Sequence, residues 1–144
     1  MTTDRTFTAI AAARATIDEL VEEREQKVEA RNARIARLYK AGLSGDTLAD
    51  VGGITASYVR KLADTTRKER GSDRKELTDS DHVHLSWVRT VVASIESLDA
   101  AIAAERSKRN EVILAAAADG LPHQELAEAA GVGRSWVTRL VNES

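Results

Sequence analysis

From Phe7 onward the apolar residues return every three or four positions, at Phe7, Ile10, Ala13, Ile17, Leu20 and Val21. That spacing marks one face of an α-helix, and Leu85, Val88, Val91, Val92, Ile95, Leu98 and Ile102 repeat it later in the chain. Neither glycine nor proline interrupts residues 1–41 or 72–119, and the first glycine after each stretch, Gly42 or Gly120, supplies a stop. The pattern predicts two long helices, over 5–41 and 81–119. A helix of about 36 residues is about 54 Å long, and a mostly polar one needs a partner for its apolar stripe. The two are therefore expected to pack together with coiled-coil character. Within 22–34 only Val28, Ala30 and Ala33 are apolar. Pairing is thus expected to be tight near the helix starts and open toward the ends, with a break within 22–30 as an alternative.

Behind each long stretch lies a shorter pattern, and the two coincide. Shifted by 78 positions, Arg31–Leu62 lies on Arg109–Leu140 without a gap, and 11 of the 32 columns are identical. Arg31/Arg109, Asn32/Asn110, Ile35/Ile113, Gly53/Gly131, Val59/Val137 and Leu62/Leu140 are among them. The expected fold is all-α, with two tandem repeats. Repeat one covers 1–64 and repeat two 81–144, joined by a charged linker over 65–80.

Within each repeat the spacing has a mechanical meaning. Two short helices crossing at a fixed angle need a small residue where they touch and a turn residue tolerant of positive φ four positions later. Apolar residues must then follow on the second helix, six and nine positions after the turn. Ala49, Gly53, Val59 and Leu62 meet this in 44–64, and Ala127, Gly131, Val137 and Leu140 in 122–143. The run from Leu121 to Leu140 resembles the helix-turn-helix of Cro/repressor-type regulators, resolvases and sigma-factor region-four domains. The first copy is similar but less close, because Val51-Gly52-Gly53 reads as an unusually flexible turn.

The resemblance implies that the second short helix enters the major groove and reads bases with its early outward residues. These are Thr55, Ala56, Ser57, Arg60 and Lys61 in one copy and Gly133, Arg134, Ser135, Thr138 and Arg139 in the other. Arginine suits guanine bidentately, and serine or threonine serves bases or phosphates. Because Ala56 faces Arg134 and Arg60 faces Thr138 in the alignment, two dissimilar half-sites are expected. Ser44 reads as an N-cap and Pro122 as a first-turn residue. Ser44 and His123 are further candidates for phosphate contacts, as are Arg67, Lys68 and Arg70 of the linker, which otherwise reads as a solvated connector. Extended, its 16 residues reach about 50 Å, so either parallel or antiparallel long helices are allowed. Tyr58 and Trp136 are expected to pack between the second short helix and the long one, and Trp87 at a helix interface.

A net charge of −2 sits poorly with DNA binding, but its distribution does not. No acid occurs in 51–63 or 129–142, which hold Arg60, Lys61, Arg134 and Arg139. There is no cysteine, which excludes disulfides and thiolate metal sites. No apolar run approaches the length of a membrane span and no leader opens the chain, so a cytoplasmic, nucleoid-associated protein is expected. Arginine outnumbers lysine 15 to 6, which suits a high-GC bacterial or phage source. His82 and His84 form an H-x-H without enough further ligands for a metal site. Glu22, Glu23, Glu25 and Glu29 read as a surface ion-paired with Arg24, Lys27 and Arg31. No phosphate loop or nucleophile elbow is present; no enzyme, cofactor or metal is expected. The reading is a transcriptional regulator acting on double-stranded DNA, as a monomeric pseudo-dimer or a homodimer through the long helices. The alternatives are a phage-type packaging component and a helical protein–protein adaptor.

Overall fold

The computed structural model describes residues 3–65 and 67–144, with Arg67 described by its backbone alone. These residues are all-helical: α1 (Thr3–Lys40), α2 (Gly45–Gly52), α3 (Ala56–Ala63), α4 (Arg67–Arg70), α5 (Asp79–Ala118), α6 (His123–Ala130) and α7 (Arg134–Glu143). No helix is long and apolar enough to cross a membrane. α1 runs unbroken through 22–34. That stretch lacks a stripe, yet its Glu, Lys, Arg and Ala residues are good helix formers with no glycine or proline among them.

The chain forms two compact units, Arg24–Ser97 and the pair of segments Met1–Glu23 with Leu98–Ser144. The contiguous unit holds the second part of α1, then α2, α3 and α4, and the first part of α5. Its core joins Ile35, Leu38, Tyr39, Leu43, Leu48, Val51, Val59, Ala63, Leu85 and Val88. Arg34 of α1 lies over the Trp87 ring of α5 at 4.1 Å and donates to His84 Nδ1 at 2.8 Å. Late α1 thus meets early α5, and the two segments run antiparallel.

In the two-segment unit the first part of α1 meets the last part of α5 beneath α6 and α7. Ile10, Ile113, Ala116, Leu126, Ala127, Ala130 and Val137 form its core. Thr6 shares a cleft with Ala115 and Asp119, whereas Thr16 shares one with Glu105, so here too the segments are antiparallel. Each fully buried Ile, Leu or Val contributes about 1.5–3 kcal/mol. The expectation of tight starts and open ends does not hold. With antiparallel segments the start of one helix covers the end of the other, so Ile35 and Ile113 are as buried as Ile10 and Leu85.

The charged segment after α3 is also more ordered in its contacts than a solvated connector. Most of its side chains are exposed, but Arg70 and Arg74 turn back onto the end of α1. The last carbonyls of a helix have no partner within it. Arg70 donates through Nε to the Tyr39 carbonyl and through Nη2 to the Leu43 carbonyl, and its guanidinium lies 4.1 Å over the Tyr39 ring. Arg74 Nε donates to the Ala41 carbonyl at 2.9 Å, and its main-chain N–H to the Gly42 carbonyl at 2.8 Å. Arg74 then grips Asp81 through both terminal guanidinium nitrogens, at 2.9 Å each. Thr78 and Asp81 close a capping box at the start of α5, each accepting the other's main-chain N–H, at 3.1 and 2.9 Å respectively.

Candidate nucleic-acid interface

The two short helical pairs are built alike. In α2–α3, Gly53 adopts the left-handed region (φ 66°), and its N–H and that of Ile54 close on the Ala49 carbonyl. In α6–α7, Gly131 does the same at φ 71°, with Val132 N–H donating to Ala127 at 3.0 Å. Val59 and Val137 are fully buried beneath the second helix of each pair. Ser44 caps α2 by accepting from Thr47 N–H, and Thr55 caps α3 by accepting from Tyr58 N–H at 3.0 Å. Pro122 and Gly133 take the capping positions of α6 and α7 without side-chain bonds, which places Pro122 just before the first turn rather than in it.

Gly52 is not part of a flexible turn. It is the last residue of α2, and a Cβ there would stand 2.6 Å from Ile35 Cδ1, so α2 approaches α1 too closely for a side chain.

On α3, Ser57, Arg60 and Lys61 are exposed with the capping Thr55, and Ala56 is half-buried. On α7, Gly133, Arg134, Ser135 and Arg139 are exposed. Thr138 differs: it is half-buried and its hydroxyl lies 3.0 Å from His123 Nδ1. The hydrogen bond ties the first turn of α6 to α7 and occupies the hydroxyl expected to read a base. Ser44 and Arg60 come together in a cleft of about 410 Å³ that also takes in Tyr39, Asp46, Arg70 and Asp73. Of the linker cations, Lys68 is exposed, and the Arg67 side chain lies outside the described residues. Arg70 is not available to a phosphate. Its side chain is 1% exposed, with Asp73 Oδ1 at 2.6 Å in addition to the carbonyls above.

Two arginines outside the expected base-reading sets stand beside the second helices. Arg109 of α5 is 9% exposed and lies 4.9 Å over the Trp136 ring of α7, with Nε and Nη2 donating to Asn110 Oδ1 at 3.2 and 3.1 Å. Arg31 of α1 is half-buried, donates through Nε to Asn32 Oδ1 at 3.1 Å, and lies near Tyr58. Burial lowers the pKa of both, and Arg24 near Arg31 and Arg106 near Arg109 lower them further. Tyr58 pulls Arg31 the other way. No carboxylate among the described residues pairs with either, so Arg31 is not part of a glutamate-paired surface. The signal for them was present in the internal repeat as two adjacent identical polar columns, Arg31/Arg109 and Asn32/Asn110. Tyr58 is 39% exposed, and Trp136 packs partly into its core.

Trp87 packs against the core of the contiguous unit. His84 accepts from Arg34, which requires its neutral tautomer with the proton on Nε2. Among the described residues no group of three or more His, Asp or Glu side chains is arranged to hold a metal ion. No protein-family model matches the chain, and neither a curated protein nor a solved structure matches it.

Proposed function

We propose that the chain is a sequence-specific binder of double-stranded DNA, carrying two helix-turn-helix units that arose by internal duplication and read two dissimilar half-sites. α3 and α7 are the recognition helices. Ser57, Arg60 and Lys61 read on one side, and Arg134, Ser135 and Arg139 on the other, with Ala56 offering an apolar contact to a thymine methyl. Thr138 acts through His123, holding α7 against α6, rather than as a free donor. A role in transcriptional regulation follows from two readers on one small chain.

The observation that carries this reading is the repeated geometry of the pairs. Each has a left-handed glycine turn, a buried valine beneath the second helix, and an outer face bearing arginine, with Glu143 at the far end of α7 as the one acid on either second helix. A second helix kept only for packing has no need of that outer face. The difference between Arg60 and Thr138 at matched positions makes one half-site depend more on phosphate charge than the other.

The test is selection of bound duplexes from a random DNA library at about physiological salt, where non-specific binding is weak. One enriched motif with two unlike halves at fixed spacing is the expected result. Enrichment that persists when Arg60, Lys61, Arg134 and Arg139 are all changed to alanine would refute the assignment of α3 and α7. Absence of any enrichment would refute sequence-specific reading.

A further inference from the structure

A cation removed from water costs free energy unless an opposite charge compensates it. Arg109 is nine-tenths buried and Arg31 half-buried, and neither pairs with a carboxylate among the described residues. Their neighbours deepen the imbalance, since the charged groups acting on them include Arg24 and Arg106. Each guanidinium is instead held by a side-chain amide, and that of Arg109 also by the face of a ring. Trp136 and Asn110 flank Arg109, and Asn32 fixes Arg31 beside Tyr58. Both rings belong to the third residue of a second helix, α3 or α7. A stacked guanidinium keeps its N–H edge directed and loses little entropy on forming further bonds.

Two further features point outward. Arg109 opens on a cleft of about 260 Å³ that it shares with Lys108, a second cation, and with Thr16, whose hydroxyl donates to the Ala12 carbonyl. The acid lining that cleft, Glu105, lies 3.5 Å from Lys108 and not against Arg109. Arrangement and charge therefore call for an anion that arrives from outside the chain.

We propose that Arg31 and Arg109 are phosphodiester-binding residues, one beside each recognition helix, that clamp the DNA backbone from the long helices. The proposal rests on the DNA-binding reading above and assigns it a pair of contacts away from the base-reading faces. Trp136 is the platform that aims the Arg109 guanidinium, and Asn32 holds that of Arg31. Bound phosphate supplies the counter-charge that the chain itself omits at these positions.

The decisive measurement is the salt dependence of binding of the full chain to one duplex, recovered by the selection above or, failing that, a mixed-sequence duplex. Fluorescence anisotropy across a sodium chloride series gives the slope of log affinity against log salt. Removing one bound phosphate from the interface lowers the magnitude of that slope by about 0.9. Arg31→Met and Arg109→Met keep the bulk and remove the charge, and each is expected to lower it by about that amount. Arg31→Lys and Arg109→Lys keep the charge and are expected to retain the slope of the unaltered chain. Helical circular dichroism of every variant confirms that the binding curves describe folded protein.

Methionine variants with the unaltered slope overturn the proposal and leave DNA binding standing, even where their affinity falls, because a purely structural role changes affinity without changing the number of phosphates bound. An unaltered chain that binds no duplex at low salt overturns the DNA reading and this proposal together.

Discussion

Replacing Arg70 by alanine tests whether the charged segment after α3 is a strap or a spacer. The side chain is 1% exposed and serves the carbonyls of Tyr39, Leu43 and Gly71, the Asp73 carboxylate and the face of Tyr39. Asp73 and Gly71 are exposed and regain water when the guanidinium goes. The Tyr39 carbonyl keeps the Gly42 N–H at 3.0 Å, whereas the Leu43 carbonyl belongs to a buried residue, and a buried acceptor left without a partner costs about 1–3 kcal/mol. Loss of the guanidinium–ring contact adds about 1 kcal/mol. The expected destabilisation is therefore about 2–4 kcal/mol. Urea unfolding followed by far-ultraviolet circular dichroism measures it as a shift in midpoint at constant slope. Arg70→Lys should fall between, since one ammonium cannot bridge two carbonyls and lie flat on the ring. A loss below about 1 kcal/mol, as for an ordinary exposed residue, would refute the strap.

Other outcomes follow from equally local geometry. Gly52→Ala places a Cβ against Ile35 Cδ1. Overpacking of this kind costs about 1–3 kcal/mol, and adding Ile35→Val, which removes that methyl, should recover part of it in a double-mutant cycle by chemical denaturation. Asp81 titrates at about 2 against an ordinary 3.8, held down chiefly by Arg74. Its contribution to stability is complete above pH 3.8 and disappears as pH falls toward 2, so Asp81→Asn should flatten the acid limb of stability against pH and leave no such loss to measure there. Ile10→Ala opens a fully buried site beside Ile113, Leu126 and Val137 at a cost of about 2–5 kcal/mol. Amide hydrogen exchange should show the loosening in α6 and α7; loosening confined to α2 and α3 would contradict the partition of α1 between units.

Much of the local order is legible in the sequence because it depends on neighbours within a few positions. Gly42, Gly53, Gly120 and Gly131 all take positive φ, and only glycine does so without strain. Val59, Leu48, Val137 and Leu126 are buried because helix period and motif spacing place them inward. The misread features depend on residues far along the chain. Nothing near Arg70 announces the Tyr39 and Leu43 carbonyls, 31 and 27 positions away. Gly52 looks like half of a loose Gly-Gly turn until Ile35 of another helix is seen against it. Arg31 looks like one charge in a salt-bridged face until burial and Tyr58 remove it from that set. Thr138 reads as an outward residue by its position in α7, and only His123 reveals that its hydroxyl is engaged.

The direction of the long helices is the point where sequence pattern alone had no leverage, because an apolar stripe pairs with another in either sense. What decides it is the strap. Arg70 and Arg74 bind carbonyls at the end of α1, and Arg74 binds Asp81 at the start of α5. The chain therefore reverses within the contiguous unit, and α5 must set out beside the end of α1. It follows that the first part of α1 is left for the last part of α5, so each unit combines one short helical pair with portions of both long helices. A cut between 64 and 81 would separate two sequence repeats without separating two cores. The self-similarity lies in the sequence, while the compact body that carries each candidate recognition helix draws on both halves of the chain.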